Sequence, residues 1–143
     1  MDSYKASQVI SGTWGEMWLS GEKMAECTSL QAKVSLKKTA VSMCGTLVDG
    51  QKITGIDCKG TLKLNKVTSM MISLLSSDIR AGKQSEFTIM SKLADPDALG
   101  TERITLKGVT FDELTLIDWD AKKNGEESIP FTFQDWEPLD LID

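Results

Sequence analysis

With 143 residues, 41% of them hydrophobic and 26% charged, the chain has the size and make-up of one globular domain able to bury its own core. It contains no histidine, which excludes a Ser-His-Asp triad, a Cys-His dyad and an imidazole-held metal within the chain. The formal net charge of -5 disfavours sequence-independent binding to phosphate backbones unless charge is segregated. Lysines and acids alternate along the sequence, so no segregation is expected.

Residues 13–20 (TWGEMWLS) alternate with apolar groups on both sides, which suits a strand covered on both faces or lying at a subunit contact. Ser20-Gly21-Glu22 is a turn signal, and residues 23–26 return as a short hairpin partner. From residue 30 to 36 the alternation is clean. Leu30, Ala32, Val34 and Leu36 are expected to face inward, and Gln31, Lys33 and Ser35 to face water. Residues 39–54 read as a long hairpin turning at Asp49-Gly50, a type I′ signal. Gly45 and Gly55 interrupt its weakly alternating flanks, so its tip is poorly supplied with core residues. Residues 56–64 then place Ile56, Cys58, Leu62 and Leu64 inward.

The period changes at Lys66. Val67, Met70, Met71, Leu74 and Leu75 fall on one face of a helix expected over about 66–81, with Asn65 as N-cap, Arg80 in the last turn and Gly82 as the C′ residue. Strands follow at 86–93, 102–109, 111–119 and 128–136, with a loop at 94–101 marked by Asp-Pro and Gly. Strands outnumber the helix several-fold. The fold class is mainly β, a β-barrel or sandwich with one packed α-helix, in a single domain spanning residues 1–143.

The residues with chemical potential read more simply as structure. Cys27, Cys44 and Cys58 match no CxxC spacing and are expected as reduced thiols packed as small hydrophobes. Asp95, Asp97 and Glu102 lack the ligand spacing of an EF-hand and read as a solvated loop. Asp112, Glu113, Asp118 and Asp120 are expected to point outward from a strand rather than to form a glycosidase pair. The four tryptophans suit an interface or a core better than a sugar platform. No catalytic residue, cofactor or metal is assigned, and no enzymatic activity is expected. No run nears the roughly 18 apolar residues of a membrane span, and the opening MDSYKASQVISG has neither a basic nor an apolar signal region, so a cytoplasmic product is expected.

Three segments carry a resemblance to a known family. Residues 10–26 (ISGTWGEMWLSGEKMAE), 100–120 (GTERITLKGVTFDELTLIDWD) and 129–140 (IPFTFQDWEPLD) resemble, in order, the N-terminal hairpin and C-terminal half of tail tube proteins of PBSX-like contractile phage tails, phage-like elements and tailocins. The family is similar to the inner tube protein of type VI secretion systems. The resemblance implies a structural subunit whose β-barrels form hexameric rings that stack through long loops and terminal segments. It implies partners in further copies of itself, the tail sheath, the tape measure and baseplate proteins, with passive DNA passage through the lumen. It also implies assembly in the host cytoplasm and a final place in a virion or tail-like particle. On this reading the Asp49-Gly50 hairpin is a protruding arm, and Val9, Ile10, Val41, Met43, Leu47, Asp49, Gly50 and Ile53 are the expected inter-subunit contacts. The alternative from another class is a monomeric barrel binding a small ligand or carbohydrate.

Overall fold

The structure, a computed structural model, describes residues 3–143. Strands β1 (Gly15–Leu19), β2 (Glu22–Lys23), β3 (Cys27–Val41) and β4 (Gly50–Asn65) precede helix α1 (Met70–Arg80); β5 (Phe87–Leu93), β6 (Glu102–Phe111), β7 (Glu126–Thr132) and β8 (Asp135–Asp140) follow it. All pairings are antiparallel, in the order β2-β1-β5-β6-β7-β4-β3, with β8 also paired to β6. This is the mainly β fold with one helix that the patterning predicts.

The sheet folds over its core at β6. Residues 103–107 of β6 pair with β8, whereas Thr110 and Phe111 pair with β7. Between them Gly108 takes a φ of 64°, and the register against β5 slips by one residue. A left-handed glycine in a bulge adds one residue and sharpens the twist. The bulge also resets the alternation, which lets Leu106 and Val109 both reach the core. Around them pack Met17, Leu19, Leu62, Ile89 and Ile129, with a chain of phenylalanine contacts running Phe87, Phe111, Phe131, Phe133. The first turn is as expected: Ser20 and Gly21, both at positive φ, set Leu19 opposite Glu22.

Three expectations need correction. The helix begins at Met70, four residues later than expected, with Ser69 rather than Asn65 at its N-cap. Asn65 and Lys66 are held by the sheet instead. Asn65 pairs with Glu126, and Lys66 donates its backbone N–H to the Gly125 carbonyl and its ammonium to the buried Glu127 carboxylate. Gly82 ends the helix at a φ of 71°, as expected. Of the expected helix face only Met71 and Leu75 are buried; Leu74 is 37% exposed and Val67 more so. Leu75→Ala should therefore cost about 2–3 kcal/mol by leaving a core void, while Leu74→Asp should stay within about 1 kcal/mol, both read by thermal melts.

The second correction concerns residues 111–119, which form no strand beyond Phe111. Asp112 donates its N–H to the Pro130 carbonyl, but Pro130 has no N–H to return, so the ladder stops there. Leu116, Ile117 and Trp119 are left exposed in an irregular segment. The third is the expected strand 128–136, which is two strands, β7 and β8, split at Phe133 and Gln134.

Glu127 is a buried carboxylate held by the lysine that ends the β4 region. Lys66→Met removes that partner and leaves the carboxylate uncompensated. The expected cost is about 2 kcal/mol, seen as a lower urea midpoint with an unchanged slope.

Candidate inter-subunit surface

The feature that the core does not explain is the length of β3 and β4, 15 and 16 residues against the usual five or six. At about 3.3 Å per residue each spans about 50 Å, whereas a compact chain of this size has a radius of gyration of about 14–15 Å. Part of the hairpin must project. The pairing shows which part: β7 accompanies β4 only from Lys59 to Asn65, so residues 50–58 have β3 as their sole strand neighbour. The outer hairpin, residues 34–58, is a two-stranded arm.

The arm is amphipathic. Register places Val34 opposite Cys58, Leu36 opposite Ile56 and, past a bulge at Lys37/Lys38, Lys38 opposite Ile53. On the face continuous with the core, only Cys58 is buried; Val34 is 38% exposed, Leu36 48%, Ile53 53% and Ile56 53%. Leu30 is half-buried and Ala32 exposed, so the inward face expected for residues 30–36 is largely uncovered in the single subunit. This is a row of unpartnered aliphatic groups on an otherwise well-paired hairpin, the kind of exposed apolar patch from which interaction sites are built.

The tip differs from the expected two-residue turn. Asp49 and Gly50 are not its centre: Gly50 already pairs with Val41, and the chain reverses through residues 42–49 with Gly45 at a φ of 82°. The expected contacts Val41, Met43, Leu47, Asp49, Gly50 and Ile53 thus do come together at the outer end of one arm. All are exposed apart from the half-buried Gly50, and Leu47 is wholly so. Val9 and Ile10 belong to a different segment, Val9 exposed and Ile10 half-buried. It is anchored where Ser11 donates its N–H to Asp95 Oδ2 at 2.9 Å. Asp95 also accepts from the Asp97 N–H, so this acidic loop clamps the N-terminal segment rather than standing free in water. Of that segment, Met1 and Asp2 lie outside the described residues. Val34, Leu36 and Ile56 join them as exposed apolar groups on the arm; the sequence placed Val34, Leu36 and Ile56 inward, because alternation reads the same whether a face is covered or left open.

The other face of the same hairpin is basic. Lys33 sits directly opposite Lys59, Lys63 opposite Ser29 and Lys37 opposite Gly55, all four lysines exposed. The one carboxylate on this stretch, Asp57, lies 3.4 Å from the Lys37 ammonium. Charge is therefore segregated, contrary to the even alternation expected. Acids and lysines do alternate in sequence, but pairing two strands in this register gathers five of the hairpin's six lysines on one side, with Lys38 on the apolar face.

An open groove of about 640 Å³ lies between β1, β2, β5 and the start of β3, and a smaller one of about 390 Å³ lies beside the end of α1. The only charged side chains of the larger groove, Glu16 and Lys23, face each other at 3.7 Å. Among the described residues no cluster of three metal-ligating side chains occurs. Burial raises the Cys27 thiol above its ordinary pKa, which makes it less reactive rather than more.

The family profile of the phage tail tube protein matches residues 2–140. The phage-like element PBSX protein XkdM of Bacillus subtilis is 36% identical over 135 residues, covering 93% of this chain and 92% of that one. A chain of the sheath-tube complex of the extracellular contractile injection system PVC, in its extended state, superposes with a TM-score of 0.71 at 13% identity over 97% of this chain and 100% of its own. Hcp1 from Flavobacterium johnsoniae shares the fold at a TM-score of 0.55 and 6% identity, over 88% and 94% of the two chains. The chain belongs to the phage tail tube protein family.

Proposed function

We propose that this chain is the structural subunit of the inner tail tube of a contractile phage tail or phage tail-like particle, assembling into stacked hexameric rings. The observation that carries the reading is the β3–β4 arm. A two-stranded ribbon is marginal in water on its own, and this one presents Val34, Leu36, Ile53 and Ile56 to solvent. Laying that face on an adjacent copy removes it from water at about 25 cal/mol per Å². Such a contact is head-to-tail, since the arm of one subunit meets a different surface on the next, and head-to-tail contacts close into rings. The outer edges of β3 and β8 add unpaired backbone that a neighbour's strands can complete.

The work of this subunit is to form a wall, with no reaction to perform. The fold likeness to a chain of a sheath-tube complex supports a sheath as the outer partner, with tape measure and baseplate proteins inside and below. Assembly takes place in the host cytoplasm and ends in the tail. Negative-stain microscopy and native mass spectrometry of the concentrated chain test this directly. Six-fold rings and tubes of stacked rings are expected. A persistent monomer overturns the assembly, and rings of another number overturn the hexamer.

A further inference from the structure

We propose that the apolar face of the β3–β4 arm docks on the irregular segment 112–120 of a second copy of the chain, with Lys38 of the arm paired to Asp118 of that copy. The arm's apolar face is not purely aliphatic. At the bulge between Lys37 and Lys38 the register sets Lys38 opposite Ile53, on the face that carries Leu36 and Ile56. Lys38 is exposed and forms no ion pair among the described residues. Covering this face buries an ammonium among aliphatic groups, which is strongly unfavourable unless the covering surface brings a carboxylate to it. The surface that fits is therefore apolar with a free acid inside it.

Segment 112–120 has that make-up. Phe111 and Leu114 hold its start against the core. Beyond them Leu116, Ile117 and Trp119 are 64%, 81% and 80% exposed, and Asp118 stands between Ile117 and Trp119 without an ion pair among the described residues. A tryptophan beside aliphatic groups is the usual anchor of a protein contact. The other clusters of exposed apolar groups offer no free acid. The carboxylates of β8, beside Trp136 and Leu139, are all engaged: Asp135 by the Trp136 N–H, Glu137 by Lys107 and Asp140 by Arg103. Beside Ile79, Asp78 accepts from the Ser85 hydroxyl, and the stretch 3–14 around Tyr4 and Val9 contains no carboxylate at all. The arm's own tip carries Asp49, but arm on arm is a two-fold contact that ends at a dimer. An arm laid on segment 112–120 is head-to-tail. Each copy then gives an arm and receives one, and what that series of contacts builds rests on the tube reading.

The test uses full-length chains with one charge reversed, Lys38→Glu and Asp118→Lys. Both side chains are exposed, so each variant should melt within about 2 °C of the parent. Each alone should build no tubes by negative-stain microscopy, because like charges then meet at every contact. An equimolar mixture of the two should recover them, since every arm finds its opposite charge on the other variant and an even-membered ring permits strict alternation. In the parent, a carbodiimide, which joins an amine to a carboxylate in contact with it, should link Lys38 of one copy to Asp118 of another in a mixture of isotopically light and heavy chains. Tubes of parental appearance from either variant overturn the proposal, as does a mixture that recovers nothing. So does an equal loss from Lys33→Glu on the reverse face of the arm, which assigns the effect to net charge. The cross-link is read on an oligomer of any size. Its presence without tubes upholds the contact and removes the ring, tubes without it uphold the ring and remove the contact, and the absence of both overturns both.

Discussion

Gly60→Val should be among the most damaging single substitutions in the chain, lowering stability by about 4 kcal/mol. A Cβ at this position would sit 2.3 Å from the Gln31 carbonyl oxygen and 2.4 Å from Cζ of Phe131. Neither can give way cheaply. The carbonyl belongs to β3 and is fixed by its pairing with β4; the Phe131 ring is fully buried and in contact with Phe111 and Phe133. Glycine here lets the Phe131 ring press against the backbone of the neighbouring strand, and any side chain must displace the ring or part the hairpin at its root. At about 2–4 °C per kcal/mol for a chain of this size, the melting temperature should fall by roughly 10 °C. Gly12→Ala, whose Cβ meets nothing within 4 Å, is the matched control and should melt close to the parent. A Gly60→Val protein melting within 2 °C of the parent, an interval of about 1 kcal/mol, would show that the hairpin root is looser than its geometry implies.

The second large effect is on assembly and leaves the fold alone. Leu36→Asp combined with Ile56→Asp puts two carboxylates on a cross-strand pair that touches solvent in the single subunit. Surface changes of this kind cost little within the chain, so the melting temperature should move by only a few degrees. In a ring the same carboxylates would be desolvated against a neighbour without partners, at several kcal/mol per contact. Because every subunit repeats the contact, tubes should be abolished rather than shortened. Circular dichroism and negative-stain microscopy on one preparation separate the outcomes. A variant that builds tubes of native appearance removes the arm's apolar face from the interface, and one that unfolds places that face in the core.

Much of this architecture was legible in the sequence, and the misses have identifiable physical causes. Period-2 and period-3.6 patterns located β1, β3, β4, α1, β5 and β6, because strand and helix faces impose those periods however the elements pack. The irregular stretch after Phe111 was missed although its cause is written in the chain. Pro130 cannot return a ladder bond to Asp112, but that matters only once the register of β6 on β7 is known. The late start of α1 has a similar origin, since Lys66 is spent on Gly125 and Glu127, residues about 60 positions away. At the surface, the arm's tip residues were legible from Gly spacing and a thin supply of core groups. Val34, Leu36 and Ile56 were not, since an uncovered apolar face carries the same alternation as one buried in the core. Strand length was the available signal: a hairpin of 15 and 16 residues outruns any core this chain can build. The lysine face escaped for a related reason, because charge segregation across two strands is a property of their register and invisible to a one-dimensional reading.

The central claim, that the β3–β4 arm is completed by another copy of the chain, is tested most directly by a cryo-EM reconstruction of the assembled tube at side-chain resolution. The account predicts Val34, Leu36, Ile53 and Ile56 of each arm covered by an adjacent subunit, with Lys33, Lys59 and Lys63 uncovered on the reverse side. A tube in which those four aliphatic side chains remain open to solvent, with the subunits joined entirely through other surfaces, would contradict it.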